Sequence, residues 1–543
     1  MPEKKRVAVI GLGASGLVTM KNLAEEGFDV TGFERSSSIG GVWRYEDTPT
    51  KTTVLKSTCA NGSKYKFCFT DFPQSPDTPV YLHASQVHQY LMDYASHFGL
   101  YDSIHTNIDV QGIAHNEETG CWDLHLYNNR SDAAEVIMEQ FDRVVIATGI
   151  NHLPVMPEIN GIERFGGKVI HCQQFKNPSD FAGKQVLVVG LNNSAGDTAT
   201  SMLGLADKIY LSHRKGTIFL KRWNKNKPVD HDISWVRLQI MQKYMDYVPR
   251  LYNWSVLQLQ NQLHTLRPEW ELNENLPPFT QRLPLINDDI IAAMHEGKII
   301  PVPNLAEVLD AQTVLLSDGT TISDLDAIIF CTGYKPDFSI LDDYEAQFSR
   351  VYYYPHKDNC ETDPSSAPSS AKPLPRLYQN IFSLDYPDSL AYVCGVGFQM
   401  AAFHVYDLAS MALAQVWKGA VPLPPLETMR AQVEQHYQWI VSRAQLGSVH
   451  PDLVQAPEWY IWVNETAGTG VYQKLGYGVA GWKFWWQDRV FCNTLMHGMF
   501  SPHTYRLFDG PRRRKWDGAR AEILRVIKEL DEMGSGERTG KEE

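Results

Sequence analysis

Two glycine-punctuated turns, each between a short apolar run and a helical repeat, constrain this chain more than any other feature. In the first, Arg6–Ile10 reads as a buried strand, and Gly11-Leu12-Gly13-Ala14-Ser15-Gly16 reads as a tight turn. Leu17–Glu26 follows as a helix with Leu17, Met20, Leu23 and Ala24 on one face, and Gly27 ends it. Val30–Phe33 is a second strand, so a βαβ unit opens the chain. Gly11 permits the turn, Gly13 lets a pyrophosphate approach the backbone, and Gly16 lets helix and strand pack closely. Glu34 closes the second strand where a carboxylate meets ribose hydroxyls, which selects a ribose without a 2′-phosphate, that of FAD or NAD. Gly40-Gly41-Val42-Trp43 offers a further close backbone approach, as an extended FAD needs, although a loop turn has the same composition.

The pattern then restarts. Gln185–Val189 reads as a strand, Gly190–Gly196 as a turn, Asp197–Leu205 as a helix and Lys208–Leu211 as the next strand. Asn192 and Ala195 stand where the motif has glycines, and Asn tolerates positive φ better than most residues. No acid follows this second strand. Ser212 and Arg214, with Lys215 beside them, suit the 2′-phosphate of NADPH, although a solvated basic loop would look the same. Arg143–Ala147 and Ala327–Phe330 are further buried strands, followed by Thr148-Gly149 and by Cys331-Thr332-Gly333. The spacing predicts an α/β fold of two Rossmann-like dinucleotide-binding domains, the NADPH domain inserted in the FAD domain. The expected division is 1–164 for the first part of the FAD domain, 165–333 for the NADPH domain and 334–543 for the rest of the FAD domain with C-terminal helices. A mostly helical insertion is expected near 217–299. Met400–Trp417, Thr428–Gln445 and Ala519–Asp531 read as helices, Val351–Pro375 as a loop and Lys528–Glu543 as a frayed tail.

At 543 residues the chain exceeds what one core sustains. Its net charge of −13 argues against a nucleic-acid partner, which needs a basic footprint. Eight cysteines without a CxxC spacing suggest neither a zinc site nor a thioredoxin-like redox pair, and fit a reducing compartment. No apolar run has the length of a membrane span and no leader is evident, so the expected location is cytoplasmic, without a membrane anchor. A homo-oligomer is left open.

Further motifs sharpen the reading. Phe165-Gly166-Gly167 through His171 to Phe175 matches an FxGxxxHxxx(Y/F) signature just ahead of the second glycine turn. Cys59-Ala60-Asn61-Gly62-Ser63-Lys64 leads into Phe69-Thr70-Asp71-Phe72-Pro73, and Tyr505-Arg506-Leu507 and Lys515-Trp516-Asp517-Gly518 lie near the end. In this order the motifs resemble the flavin-containing monooxygenase family, the dimethylaniline monooxygenases among class B flavoprotein monooxygenases. Asn192 and Ala195 depart from the family's second turn, Ala401 and Ala402 follow Gln399 where the family often has Arg, and the anchor of the membrane-bound animal members is lacking.

The resemblance implies FAD and NADPH as cofactors, with a small-molecule substrate and O2 as partners. It implies oxygenation of a nucleophilic nitrogen or sulfur through a flavin C4a-hydroperoxide. Asn61 is the expected catalytic residue, its neutral amide holding nicotinamide or a water beside the flavin, although Asn-Gly is also a common turn dipeptide. The expected cofactor-binding set comprises Gly11, Gly13, Ala14, Ser15, Gly16, Glu34, Arg35, Gly41, Val42, Trp43, Asn61, Gly62, Val110, Thr148, Gly149 and Gln399 for FAD. For NADPH it comprises Gly190, Asn193, Ser194, Ala195, Gly196, Asp197, Ser212 and Arg214. No metal is expected. His171 and Asp71 read as structural. A Baeyer–Villiger monooxygenase acting on a ketone is the nearest alternative, but its signature ends in Trp where this chain has Phe175. A non-catalytic dinucleotide-binding protein is the alternative of another class.

Overall fold

Arg6–Ile10 is apolar from Val7 onward, and a strand apolar on both faces belongs in the middle of a covered sheet. It lies there, parallel to Asp29–Glu34 on one side and to Arg143–Ile146 on the other. The structure, a computed structural model, describes residues 4–130, 136–273, 276, 283–337, 339–341, 352–353, 373–374, 376–393, 396, 402–444, 452–510 and 512–535. Seven strands make the first sheet, in the order Leu377–Tyr378, Phe382–Ser383, Leu390–Tyr392, Arg143–Ile146, Arg6–Ile10, Asp29–Glu34 and Ile104–Thr106. Ile10 is in register with both Phe33 and Ile146, so the ends of three parallel strands are level. The first glycine turn, Glu34 and Ala147–Gly149 therefore meet at one edge, where open α/β sheets bind their ligands.

The second sheet is wholly parallel, in the order Ile299–Val302, Lys208–Ser212, Gln185–Val189, Ala327–Phe330 and Lys168–His171. The chain leaves the first sheet at Arg143–Ile146, builds the second, and returns as Leu390–Tyr392 beside the strand it left. The fold is thus two Rossmann-like domains, the second inserted in the first.

Several elements differ from the sequence expectation. The second turn's helix spans Asn193–Ser201, beginning inside the expected turn, because Asn192 caps it with its side-chain oxygen. The first helix likewise begins early, at Ala14. A three-stranded antiparallel sheet, Ile108–Asn116, Cys121–Asn128 and Val136–Phe141, occupies a stretch that gave no strand reading. Between 217 and 299 the helices Trp235–Tyr247, Pro249–Leu263 and Ile290–His295 alternate with two-residue strands. The loop expected over 351–375 lies mostly outside the described residues, which hold two short paired strands there. The last helix is Ala519–Ser535, so half of the expected frayed tail is helical and 536–543 lie outside the described residues.

An ionic cluster, buried except at Glu25, closes the first domain around its C-terminal segment. Arg506 donates to Asp71 at 2.6 Å and to Glu25 at 3.1 Å, Arg513 donates to Glu25 at 3.0 Å, and Lys21 pairs with Asp71 and Glu25. Burial pushes the Glu25 carboxyl up, but Arg506, Lys21 and Arg513 outweigh it and hold it at about 2 instead of 4.5; Asp71 is likewise held well below its ordinary value. Carboxyls depressed on folding contribute stability in full above their unfolded values and lose it as pH falls toward the folded ones. Acid unfolding monitored by circular dichroism should therefore set in below about pH 4 and deepen toward pH 2.

Candidate active site

Gly11 holds φ of +90°, and a Cβ there would stand 2.8 Å from the Ala147 carbonyl oxygen. A side chain on Gly16 would collide with the Gly11 carbonyl oxygen. Gly13, the N-cap of Ala14–Glu25, carries no capping side chain and faces Gly41, whose Cα lies 3.5 Å from where a Cβ on Gly13 would be. Glu34 is buried, and its carboxylate accepts from the Leu12 amide at 3.0 Å and the Ser36 amide at 2.9 Å. The Thr148 hydroxyl is buried without a partner among the described residues, one residue beyond the Ala147 carbonyl that crowds Gly11. This cradle of bare backbone, amides at a helix start, a carboxylate and an unspent hydroxyl fits a dinucleotide pyrophosphate and ribose.

Several of the other expected first-site residues adjoin it. Ala14 and Ser15 form the helix start, Gly41–Trp43 is a short 3-10 turn, and Gly149 follows Thr148 with φ of +82°. Val42 is exposed, and Trp43 packs edge-on against Phe67. Arg35 reaches His152 at 3.1 Å; burial and that cation hold the His152 ring below its ordinary range. Val110 sits at a register shift, its side chain buried in the apolar core that also holds Phe33 and Ile10. Gln399 lies outside the described residues.

At the second turn Gly190 has φ of +128°, and a Cβ there would meet the Cys331 carbonyl oxygen at 2.5 Å. Asn192, expected to accept positive φ, is instead extended at −148° and acts as the cap. Ala195 is buried where the motif has glycine, Ser194 is exposed, and Gly196 packs on Leu285. Asp197 accepts from the Thr58 hydroxyl at 3.0 Å, and burial raises its carboxyl pKa. Ser212 corrects an expectation. It is fully buried, its hydroxyl donates to the Pro303 carbonyl and accepts from the Leu305 amide, both at 3.0 Å, and it has nothing to offer a phosphate. Arg214 is exposed with no ion pair among the described residues, a cation still available to an anion.

Asn61 ties the segment after Cys59 to the second turn. Arg222 donates to Asn61 Oδ1 at 3.0 Å, and Asn61 Nδ2 donates to Asn193 Oδ1 at 3.2 Å. Arginine only donates, and the Ile286 amide donates to the same Asn193 oxygen at 2.9 Å, so both amides have one orientation. Arg222 also donates to the Cys59 and Ala60 carbonyls and pairs with Asp288 at 3.1 Å. Gly62 follows, and the Ser63 amide donates to Asp230. Sequence reasoning missed Arg222, Asp230 and Asp288. They lie in the insertion, in no motif, far along the chain from the segment they hold.

The flavin-binding monooxygenase-like family matches residues 4–356. The chain belongs to that family. It is 43% identical over 523 residues to monooxygenase aurF of Gibberella zeae, covering 95% of this chain and 96% of that protein. To flavin-containing monooxygenase 5 of Rattus norvegicus it is 30% identical over 539 residues, covering 96% and 91%. Among solved structures it is similar to an S-allyl-L-cysteine S-oxygenase from Allium sativum, with a TM-score of 0.61, 20% identity and coverage of 97% and 99%. It is also similar to an NADP+-bound cyclohexanone monooxygenase from Rhodococcus sp. Phi1, with a TM-score of 0.57, 16% identity and coverage of 86% and 97%. At these identities both structures bear on the fold alone.

Membership in a flavin-binding monooxygenase family upholds the expected flavin and the oxidoreductase class. Among the described residues no group of three or more His, Cys, Asp or Glu side chains could hold a metal ion, and no helix is long and apolar enough to cross a membrane.

Proposed function

We propose that this flavoprotein is an NADPH- and O2-dependent monooxygenase that places one oxygen atom on a nucleophilic nitrogen or sulfur of a small molecule. The observation that carries the reading is Asn61, a neutral amide fixed beside the second nucleotide-binding turn by Arg222 and Asn193. The flavin accepts hydride and activates oxygen when bound. The protein's part is to bind, orient and exclude water. The Gly11–Gly16 backbone and the start of the following helix hold the FAD pyrophosphate, and Glu34 has lone pairs left for ribose hydroxyls after serving Leu12 and Ser36. The Gly190–Gly196 turn holds the NADPH pyrophosphate, and Arg214 meets the 2′-phosphate. Asn61 keeps one N–H and one lone pair for nicotinamide or water, and carries no proton to release at neutral pH. We assign 1–164 and 334–543 to the FAD domain and 165–333 to the NADPH domain.

The test is NADPH consumption with a panel of amines, sulfides and ketones, scoring product against H2O2. Products from amines or sulfides support the reading, and esters from ketones alone would replace it with the Baeyer–Villiger alternative. Arg214→Ala should raise the NADPH KM about tenfold, the loss of one charge-assisted contact, and leave NADH nearly unchanged. Equal losses with both coenzymes would assign Arg214 to the fold.

A further inference from the structure

We infer that Cys172 and Cys331 are a thiol pair that hydrogen peroxide converts to a disulfide, an oxidative modification site directly beneath the second glycine turn. Neither cysteine belongs to a CxxC spacing; the sheet brings them together. Each is the first residue beyond a strand, Lys168–His171 and Ala327–Phe330. These strands are parallel neighbours with His171 paired to Phe330, and the Cys172 amide extends the ladder by donating to the Phe330 carbonyl at 2.9 Å. One step beyond a registered pair, both side chains point to the same face. Their surroundings agree, because both border the one apolar core that also holds Ile170 and Ile329, the residues two before them on each strand. Adjacent strands lie about 4.8 Å apart, inside the Cα separation a disulfide spans.

The chemistry is asymmetric. Cys172 is half-buried, and Cys331 is buried. The Cys172 sulfur lies 3.9 Å from His171 Nδ1 and 3.7 Å from the Tyr334 hydroxyl. The Gln173 amide donates to His171 Nδ1 at 3.2 Å, so that nitrogen is unprotonated and its one lone pair is shared between the amide and the thiol. The ring proton is then on Nε2, which is buried without a partner among the described residues. A hydrogen bond from Cys331 holds the Cys172 thiol well below its ordinary value against the effect of burial, with His171 and Tyr334 adding to it, and Cys331 is raised in turn. Burial instead pushes the Cys59, Cys68 and Cys492 thiols up. One thiol is set to attack and its neighbour to resolve.

The Cys172 thiolate, its proton passed to His171, attacks one peroxide oxygen. The O–O bond breaks, a sulfenic acid forms, and the departing hydroxide leaves as water with the proton from His171. Cys331 then attacks that sulfur. The S–O bond breaks, and hydroxide leaves as water with the Cys331 proton. Two thiols and one H2O2 give one disulfide and two waters. If the proposed function holds, oxygen released unproductively as H2O2 supplies the oxidant in place; the modification by added peroxide does not rest on that reading.

The disulfide would act on the nucleotide site. The Cys331 carbonyl oxygen occupies the space a side chain on Gly190 would need, and the Cys331 sulfur contacts the Thr198 hydroxyl of the turn's helix at 3.8 Å. Drawing the sulfur toward Cys172 takes it from Thr198 and moves the backbone under the pyrophosphate.

The full-length flavoprotein should be titrated with H2O2, and its intact mass, disulfide-linked peptides and NADP+ affinity by calorimetry recorded. The expected mass loss is about 2 Da, with one Cys172–Cys331 linked peptide, reversed by dithiothreitol. The NADP+ Kd should rise about tenfold in the oxidised protein and recover on reduction. Cys331→Ser should stop at a sulfenic acid on Cys172 that dimedone traps, and Cys172→Ser should leave Cys331 unmodified, with flavin content reporting the fold of each variant. Links through other cysteines, or Cys172 carried to sulfinic acid in the wild type with Cys331 still free, would overturn the pair. A fully linked protein with unchanged NADP+ affinity would overturn its coupling to the nucleotide site. The mass readout needs no substrate, so its failure is distinguishable from failure of the monooxygenase reading.

Discussion

Arg506→Met should destabilise the first domain by about 3 kcal/mol, the low end of the ~3–5 kcal/mol seen when one partner of a buried ion pair is removed. The Arg506 side chain is 2% exposed and Asp71 is 6% exposed, so neither charge can turn to water in the folded state. Arg506 reaches Asp71 at 2.6 Å, Glu25 at 3.1 Å, the Asn22 side-chain oxygen at 3.3 Å and the Thr70 hydroxyl at 3.4 Å. Methionine fills the volume but serves none of these acceptors. Lys21 still pairs with Asp71, and Arg513 still reaches Glu25 and Asn22, which sets the loss at the lower end. Arg506→Lys should recover little, because one ammonium cannot span acceptors arranged around a planar fork. Urea unfolding followed by flavin release and by circular dichroism gives the difference; a loss below about 1 kcal/mol would mean that the remaining cations carry the cluster.

The parts of this architecture that were legible share one physical property. Arg6–Ile10, Gln185–Val189 and Ala327–Phe330 are buried on both faces, so each is an unbroken apolar run that ends at a glycine or a Cys-Thr-Gly turn. In the antiparallel sheet over 108–141 the signal is uneven: Cys121–Asn128 alternates Trp122, Leu124 and Leu126 with polar residues, the pattern of a half-buried strand, whereas Val136–Phe141 leaves Val136, Ile137 and Met138 exposed and shows no alternation. Ser212 was found at the correct place, the end of a strand beside the turn, but a sequence does not show that the Pro303 carbonyl and the Leu305 amide consume its hydroxyl. Arg222 lies outside every local pattern. Its partners at Cys59–Asn61 and Asp288 come together only after the insertion folds back over the first domain.

Asn61→Ala should separate flavin reduction from oxygen transfer. The Asn61 amide spends one lone pair on Arg222 and one N–H on Asn193, leaving one of each for a ligand. Removing it leaves the frame standing. Arg222 keeps the Cys59 and Ala60 carbonyls and Asp288, and Asn193 keeps the Ile286 amide and the Pro284 carbonyl. The variant should therefore retain FAD and be reduced by NADPH at close to the normal rate. The lost hydrogen bond is worth ~1–3 kcal/mol, so the partition between oxygenated product and H2O2 should shift about five- to a hundredfold toward H2O2. Asn61→Asp keeps the shape and gains an ion pair with Arg222, but places a carboxylate oxygen against the Asn193 carbonyl oxygen, which that oxygen repels. It should bind both cofactors and release H2O2 as the alanine variant does. Product and H2O2 counted per NADPH consumed decide the matter. If Asn61→Ala keeps a normal product yield, the amide only links the two domains, and the group that protects oxygen transfer lies elsewhere.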